Sequence, residues 1–299
     1  MFNRFLKYLL DNDPKAGLSK AGYVIRKIIN PAIRFGIPFT TKTKLVIVRR
    51  EYVPKDRPVI FAATHGFKED IVDTLVVIDR QAYILIGSLS QIFHAIEGVS
   101  AWAAGTILVD RLNKESRRAS KEKMIHAVNM GANVIIFPEG TWNKSPNQMA
   151  SGLFPGVYDI AKATGALVAP VATHRDGEYV YGILERAFDI TKYDRAEGVA
   201  VLRDKLSTMR YELMDKYSHV ERDTLPFGEE AERYWNTYID DLMHEVEFYD
   251  YEDELHTKFI DKSTIEPKDA FAHLADLKPN RNNAFLFNKR GLTNEQFQV

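Results

Sequence analysis

The chain of 299 residues contains no cysteine. That excludes a thiol nucleophile, thiolate metal ligands and any disulfide, and it fits a reducing compartment. A chain of this length can bury enough apolar surface to fold without such cross-links. Long hydrophobic runs are also missing. No stretch of about 18 uncharged apolar residues occurs, so no membrane-spanning helix is expected. A signal peptide is not expected either. Phe2 to Leu10 is apolar but is interrupted by Arg4 and Lys7, and no small-residue cleavage site follows. The eight histidines are scattered and form no His-Glu-x-x-His pattern, so no metal site is expected. With 45% hydrophobic and 27% charged residues, the composition is that of a globular protein rather than a disordered one.

What is present is unevenly distributed. Residues 1–50 hold eleven basic and two acidic residues, a net charge of +9 in a chain whose total is −1. A cationic end on a near-neutral protein points to an anionic surface, either membrane or nucleic acid. No nucleic-acid-binding motif accompanies the charge, so no nucleic-acid partner is expected. Two short amphipathic patterns favour a membrane. Phe2, Phe5, Leu6 and Leu9 share one helical face. In 21–35, Ile25, Ile28, Ile29 and Ala32 line up, with Lys20, Arg26, Lys27 and Arg34 beside them. Basic amphipathic helices of this kind lie in the interface of anionic membranes. The alternative is that both faces cap the domain core. Pro31 is expected to kink or end the second helix. The segment 1–40 therefore reads as membrane-associating helices, placing the protein in the cytoplasm on the inner face of the cell membrane.

The middle of the chain alternates between apolar runs and helical periodicity. Strands are expected at 45–48, 59–63, 83–86, 106–109, 134–137 and 167–171, with one or two more in 179–190. Helices are expected at 70–78, 89–104, 114–130 and 157–164, with Gly131 and Gly165 just past two of them. Continuous apolar strands alternating with helices predict an α/β domain over 41–217, with a largely parallel central sheet flanked by helices. Val201, Lys205, Thr208, Met209 and Leu213 suggest a long closing helix. The remainder, 218–299, is acidic and aromatic; it reads as a helical extension, with a helix over 229–249 and a loose tail.

Four short patterns fall at predicted strand ends, where α/β sheets place their ligands. Thr64-His65-Gly66-Phe67-Lys68-Glu69-Asp70 follows the 59–63 strand. Gly66 allows a turn, and the Asp70 carboxylate can fold back onto one imidazole nitrogen, leaving the other to take a proton. Glu69 and Asp73 are rival carboxylates. Gly105 to Arg111 is a strand ending on a guanidinium, whose planar fork suits phosphate. Phe137-Pro138-Glu139-Gly140-Thr141-Trp142 places a carboxylate in a turn at the same sheet edge. Val168-Ala169-Pro170-Val171 sets a proline inside a strand, which calls for an edge or a bulge.

Together, in this order, the four patterns resemble the glycerophospholipid acyltransferase family, which includes the bacterial 1-acyl-glycerol-3-phosphate acyltransferases. The resemblance covers roughly residues 40–215. It implies an O-acyltransferase in which His65 removes a proton from the acceptor hydroxyl and Asp70 orients His65. It implies that Arg111 helps hold the acceptor phosphate and that Glu139, Gly140, Thr141 and Trp142 shape the acceptor site. The donor would be an acyl-CoA or acyl-carrier-protein thioester, the acceptor a lysophospholipid, and no cofactor would be needed. Three positions depart from the family pattern. Thr64 stands where many members have asparagine, and Leu108 where an aromatic is usual. Trp142 and Asn143 stand where many members have arginine and serine. The missing arginine leaves Arg111, Lys144 or another cation to meet a phosphate, or signals a different head group. A rival reading is a non-catalytic lipid-binding protein of the same fold.

Overall fold

The computed structural model describes residues 11–40, 43–67, 69–87, 104–111, 113–143 and 148–218, together with residues 230, 233, 236 and 237. The expected helix over 2–10, nearly all of the one over 89–104 and almost all of the 218–299 extension lie outside the described residues; within the expected helix over 229–249, residues 230, 233, 236 and 237 are described and are helical.

In chain order, the elements are α1 (Lys20–Thr40), β1 (Lys44–Arg50), β2 (Val59–Ala63), α2 (Asp70–Ile78), β3 (Ala82–Ile86) and β4 (Thr106–Leu108). They continue with α3 (Lys114–Asn129), β5 (Asn133–Ile136), α4 (Gly156–Thr164), β6 (Leu167–Asp176), β7 (Tyr179–Leu184), a 3-10 turn (Ile190–Lys192) and α5 (Arg195–Tyr217). The strands form one sheet in the order β1-β7-β6-β2-β5-β3-β4. Every pairing is parallel except β6 with β7. The largely parallel sheet expected from the apolar runs is present, and β1 and β7 run against the other five strands.

Strand periodicity divides the core. Along β2, Ile60 and Ala62 join a cluster with Tyr83, Met124, Val134, Ile136, Ile160 and Leu202. Val59, Phe61 and Ala63 point the other way, towards Leu75, Ile78, Ile84, Ile135 and Val171. All five β2 residues are buried, which explains their continuous rather than alternating apolar character. Helices α3, α4 and α5 cover the first face, and α2 with Ile33 of α1 covers the second. Burying each large side chain contributes roughly 1.5–3 kcal/mol. The strand starts are tied by one buried amide: Asn133 accepts from the Val59 N–H at 3.0 Å and donates to the Gln81 carbonyl at 2.9 Å.

Two prolines show how context decides. Pro170 lies in an interior strand, between β2 and β7. The Val168 bridge to Phe188 and the Val171 pairing with Leu184 differ in register by one residue. Pro170 sits in that irregularity, where the ladder does not need its missing N–H. Pro31 does not end its helix, contrary to one of the two expected outcomes, and α1 continues to Thr40. Pro31 is exposed, so water can satisfy the carbonyl that a proline leaves without its helical donor.

The outer face of α1 is apolar. Val24, Ile25, Ile28 and Phe35 are 53%, 59%, 73% and 75% exposed. Its inner face sets polar residues beside Tyr23 and Ile33, which pack on the core. Arg26 and Asn30 are buried, Arg26 lies over the Tyr83 ring at 5.6 Å, and Arg34 bonds Asn30 and pairs with Asp79. The helix thus presents to the domain the residues that a soluble helix turns outward, and the core-capping reading does not hold for Ile25, Ile28 and Ile29. None of the described helices is long and apolar enough to cross a membrane.

Candidate active site

The chain leaves β2 through Thr64, whose hydroxyl accepts the Thr173 N–H at 3.1 Å, and turns at Gly66 into α2. Asp70, the first residue of α2, is fully buried. Its Oδ2 accepts from the Gly66 N–H at 2.7 Å and the Phe67 N–H at 3.2 Å, so the loop's own backbone fixes the carboxylate. The same carboxylate lies 3.0 and 3.1 Å from His65 Nδ1. An Nδ1–H held this way leaves Nε2 as the ring nitrogen able to accept a proton. Phe137 packs on the imidazole with ring centroids 4.5 Å apart, and Trp142 meets it edge-on at 6.1 Å.

Of the rival carboxylates, Glu69 faces Arg175 at 3.6 Å. Asp73 is buried, and its Oδ2 has no hydrogen-bond partner. Burial, reinforced by the nearby charges of Asp70 and Glu69 and opposed by Arg175, pushes the Asp73 carboxyl up to about 7. It is therefore largely protonated below neutral pH, which limits the negative charge gathered behind His65.

The turn after β5 is bound to the His65 loop at two points. Glu139 Oε1 accepts the His65 N–H at 3.1 Å, and the Asn143 N–H donates to the His65 carbonyl at 2.7 Å. Glu139 is fully buried, and its other oxygen accepts from the backbone N–H and hydroxyl of Ser151. Sequence reasoning placed Glu139 in the acceptor site. The structure gives both its oxygens to the protein, and it does not line the cavity described next. Its neighbours do.

That cavity, of about 350 Å³, opens beside His65. Arg111, Gly140, Thr141 and Trp142, all expected at the site, line it with His65. Arg111 follows β4 and precedes α3, whose start is capped by Asn113 accepting from the Glu115 and Ser116 N–H groups. The Arg111 guanidinium donates to the Gly140 carbonyl at 2.9 Å, joining the second and third motifs. Gly140 has φ of +75°, and a Cβ there would come within 2.5 Å of the Phe154 ring, so both backbone and space demand glycine. Lys144 lies outside the described residues. Sequence reasoning missed Arg117 and Lys121, which also line the cavity. Their i, i+4 spacing on one helix face was the available signal.

Residues 44–174 match the family model described as Acyltransferase. The match covers 131 of the 299 residues. A curated 1-acyl-sn-glycerol-3-phosphate acyltransferase of Chlamydomonas reinhardtii is 27% identical over 129 residues, which is 43% of this chain and 38% of that protein. The match therefore spans well under half of that relative. The crystal structure of PlsC from Thermotoga maritima, titled a 1-acyl-sn-glycerophosphate (LPA) acyltransferase, superposes with a TM-score of 0.53 at 20% identity. The superposition covers 64% of this chain and 83% of PlsC, and it shows a shared fold.

Two outcomes follow for the α/β domain. Glu139→Gln replaces an acceptor-only carboxylate by an amide whose NH₂ must face a donor. About 2–3 kcal/mol of stability should be lost, read as a lower denaturant midpoint at unchanged slope. Asp73 has a folded pKa above its unfolded value, so the native state binds the extra proton. Its ionisation costs stability as pH rises from about 4 to about 7, by up to about 4 kcal/mol. The stability difference between Asp73→Asn and wild type should therefore grow in the variant's favour across that window, and a flat difference would contradict the shifted carboxyl.

Proposed function

We propose that the protein transfers a fatty acyl group from a thioester, acyl-CoA or acyl-carrier protein, to the hydroxyl of a lysophospholipid such as 1-acyl-glycerol-3-phosphate. The observation that carries this reading is the His65–Asp70 pair, with Nδ1 held at 3.0 Å, at the edge of a cavity that is otherwise largely apolar. A non-catalytic lipid carrier needs no oriented imidazole. In phospholipid biosynthesis such a reaction adds the second acyl chain.

The chemistry needs no covalent enzyme intermediate. His65 Nε2 takes the proton of the acceptor hydroxyl as its oxygen attacks the thioester carbonyl. The new C–O bond forms, the C–S bond breaks, and the imidazolium returns the proton to the departing thiolate. Asp70 holds the imidazole in the required tautomer and stabilises it while it is charged. Trp142 and Phe137 exclude water from the ring, which limits hydrolysis of the thioester.

The membrane surface is the natural source of the lysophospholipid acceptor. The exposed row Val24, Ile25, Ile28 and Phe35, with Lys20 and Lys27 exposed beside it, supports peripheral docking through α1 on an anionic leaflet. The proposed location is the cytoplasmic face of the cell membrane.

His65→Ala should lower acyl transfer about 10²–10⁴-fold, measured as thiol release from acyl-CoA in the presence of lysophosphatidate, with the circular dichroism spectrum unchanged. Asp70→Asn should also slow the reaction, and near-native turnover in a folded His65→Ala protein would remove the mechanism. For the membrane, Ile25→Glu with Ile28→Glu should abolish co-sedimentation with anionic liposomes while leaving the thermal midpoint close to wild type. Binding by wild type should weaken in high salt, because exposed charges are screened over about 8 Å at physiological ionic strength. Binding by the double variant equal to wild type would show that α1 is not the docking face.

A further inference from the structure

Among the described residues, those lining the cavity beside His65 include three cations, Arg111, Arg117 and Lys121, and no carboxylate. The rest of the lining is mostly apolar, with Leu85, Val109, Met124, Ile136 and Ile160 among it. Such a cavity suits an amphiphile with an anionic head and an apolar body. Arg117 and Lys121 belong to successive turns of α3. Like charges at this spacing repel by a few tenths of a kcal/mol. Here they also share one enclosed wall with a third cation.

Their surroundings hold them at that wall. Arg117 donates to the Arg111 carbonyl, which keeps the two arginines side by side, and Arg111 donates to Gly140. Lys121 lies 3.4 Å from Asp159. That carboxylate is already gripped by Arg195 through two bonds of 2.8 and 3.0 Å, so Lys121 can turn towards an anion at little cost. At position 142 the cavity wall offers an indole, 5% exposed, and no charge.

We propose that Arg117 and Lys121, together with Arg111, clamp the phosphate monoester of a substrate, with the positive charge supplied from α3 rather than from residue 142. A phosphate monoester carries between −1.5 and −2 near neutral pH and offers three acceptor oxygens, which suits a cavity lined by three cations. A zwitterionic head group would bring its ammonium into the same cationic wall. Two substrates carry such a monoester, the lysolipid through its head group and acyl-CoA through its 3′-phosphate. The clamp deepens the acyl-transfer reading, and it relies on that reading only for which substrate supplies the phosphate.

The test uses the full chain with Arg117→Gln, Lys121→Gln and both together. Lys121 is partly exposed, so Lys121→Gln keeps the test open if loss of the Arg117 bond harms folding. KM is measured for lysophosphatidate and for monoacylglycerol with acyl-CoA, and for acyl-CoA and its 3′-dephospho form with lysophosphatidate. The expected result is a rise in KM for one phosphate-bearing substrate of about 10–100-fold per cation removed. Its phosphate-free counterpart should change little, and kcat should stay within about threefold. A rise on lysophosphatidate assigns the clamp to the acceptor, and a rise on acyl-CoA alone assigns it to the donor. Folded variants with unchanged KM for both, or with equal rises for the phosphate-bearing and phosphate-free forms, would overturn the clamp. A parallel binding titration of lysophosphatidate against monoacylglycerol with the His65→Ala protein separates the two ideas. If wild type shows no acyl transfer but phosphate selectivity disappears in the double variant, the activity reading fails and the anion site stands.

Discussion

The site depends on one buried carboxylate. Glu139 has no exposed surface, and burying an ionised group is costly unless it is hydrogen-bonded on every side. It is satisfied by donors from two separate segments, His65 and Ser151. That requirement forces the loop after β2, the turn after β5 and the segment leading to α4 to assemble together. The Asn143 N–H on the His65 carbonyl closes the same junction from the other side. His65 thus has both backbone polar groups held by the β5 turn, while its imidazole is held by Asp70. Side-chain and backbone constraints come from different elements, so the backbone that carries the ring and the ring itself are each held. Such restraint is what a general base needs, because proton transfer falls off steeply with small displacements.

The parallel sheet was legible in the sequence because strands buried on both faces read as unbroken apolar runs, and β2 and β5 are buried along their whole length. The His65–Asp70 geometry was legible for a local reason. Four residues between them, including Gly66, leave just enough chain for the carboxylate to turn back, and the intervening N–H groups of Gly66 and Phe67 bind it. Glu139 was harder. Its place in a Pro-Glu-Gly turn says that it sits at the sheet edge, but not whether it faces the cavity or the protein. Partners twelve and seventy-four residues away decide that. Arg26 and Asn30 were unreadable for a similar reason. On a helical wheel they are the soluble face of α1, and it takes the Tyr83 ring of β3 beneath Arg26 to make that face the inner one.

The cavity cations show the same limit from the opposite side. Lys114 to Lys123 reads as a solvated helix surface, with acids among the bases. In the fold, Glu122 pairs with Arg118 at the surface, while Arg117 and Lys121 fall on the wall beside His65. The five bases and two acids sum to +3 along the segment, and that sum does not show that Glu122 lies at the surface while Arg117 and Lys121 fall on the cavity wall. Net charge over a stretch of sequence is therefore a poor guide to the field inside a site, since charges on opposite faces of a helix act in different dielectric surroundings.

Trp142 then has a consistent physical role. A cation at 142 would lie against the imidazole, where Trp142 now meets the ring edge-on at 6.1 Å. A positive charge there would oppose protonation of His65 as the acceptor hydroxyl is deprotonated. An indole at that position adds no such penalty and helps to keep water from the ring. Moving the positive charge onto Arg117 and Lys121 of α3 retains attraction for an anion and, among the described residues, leaves Asp70 as the charged side chain bonded to the imidazole. The separation has a geometric condition. The anion must be held far enough from Nε2 that the hydroxyl between them can still reach the base, so the depth of the cavity between α3 and His65 sets how long the acceptor head group can be.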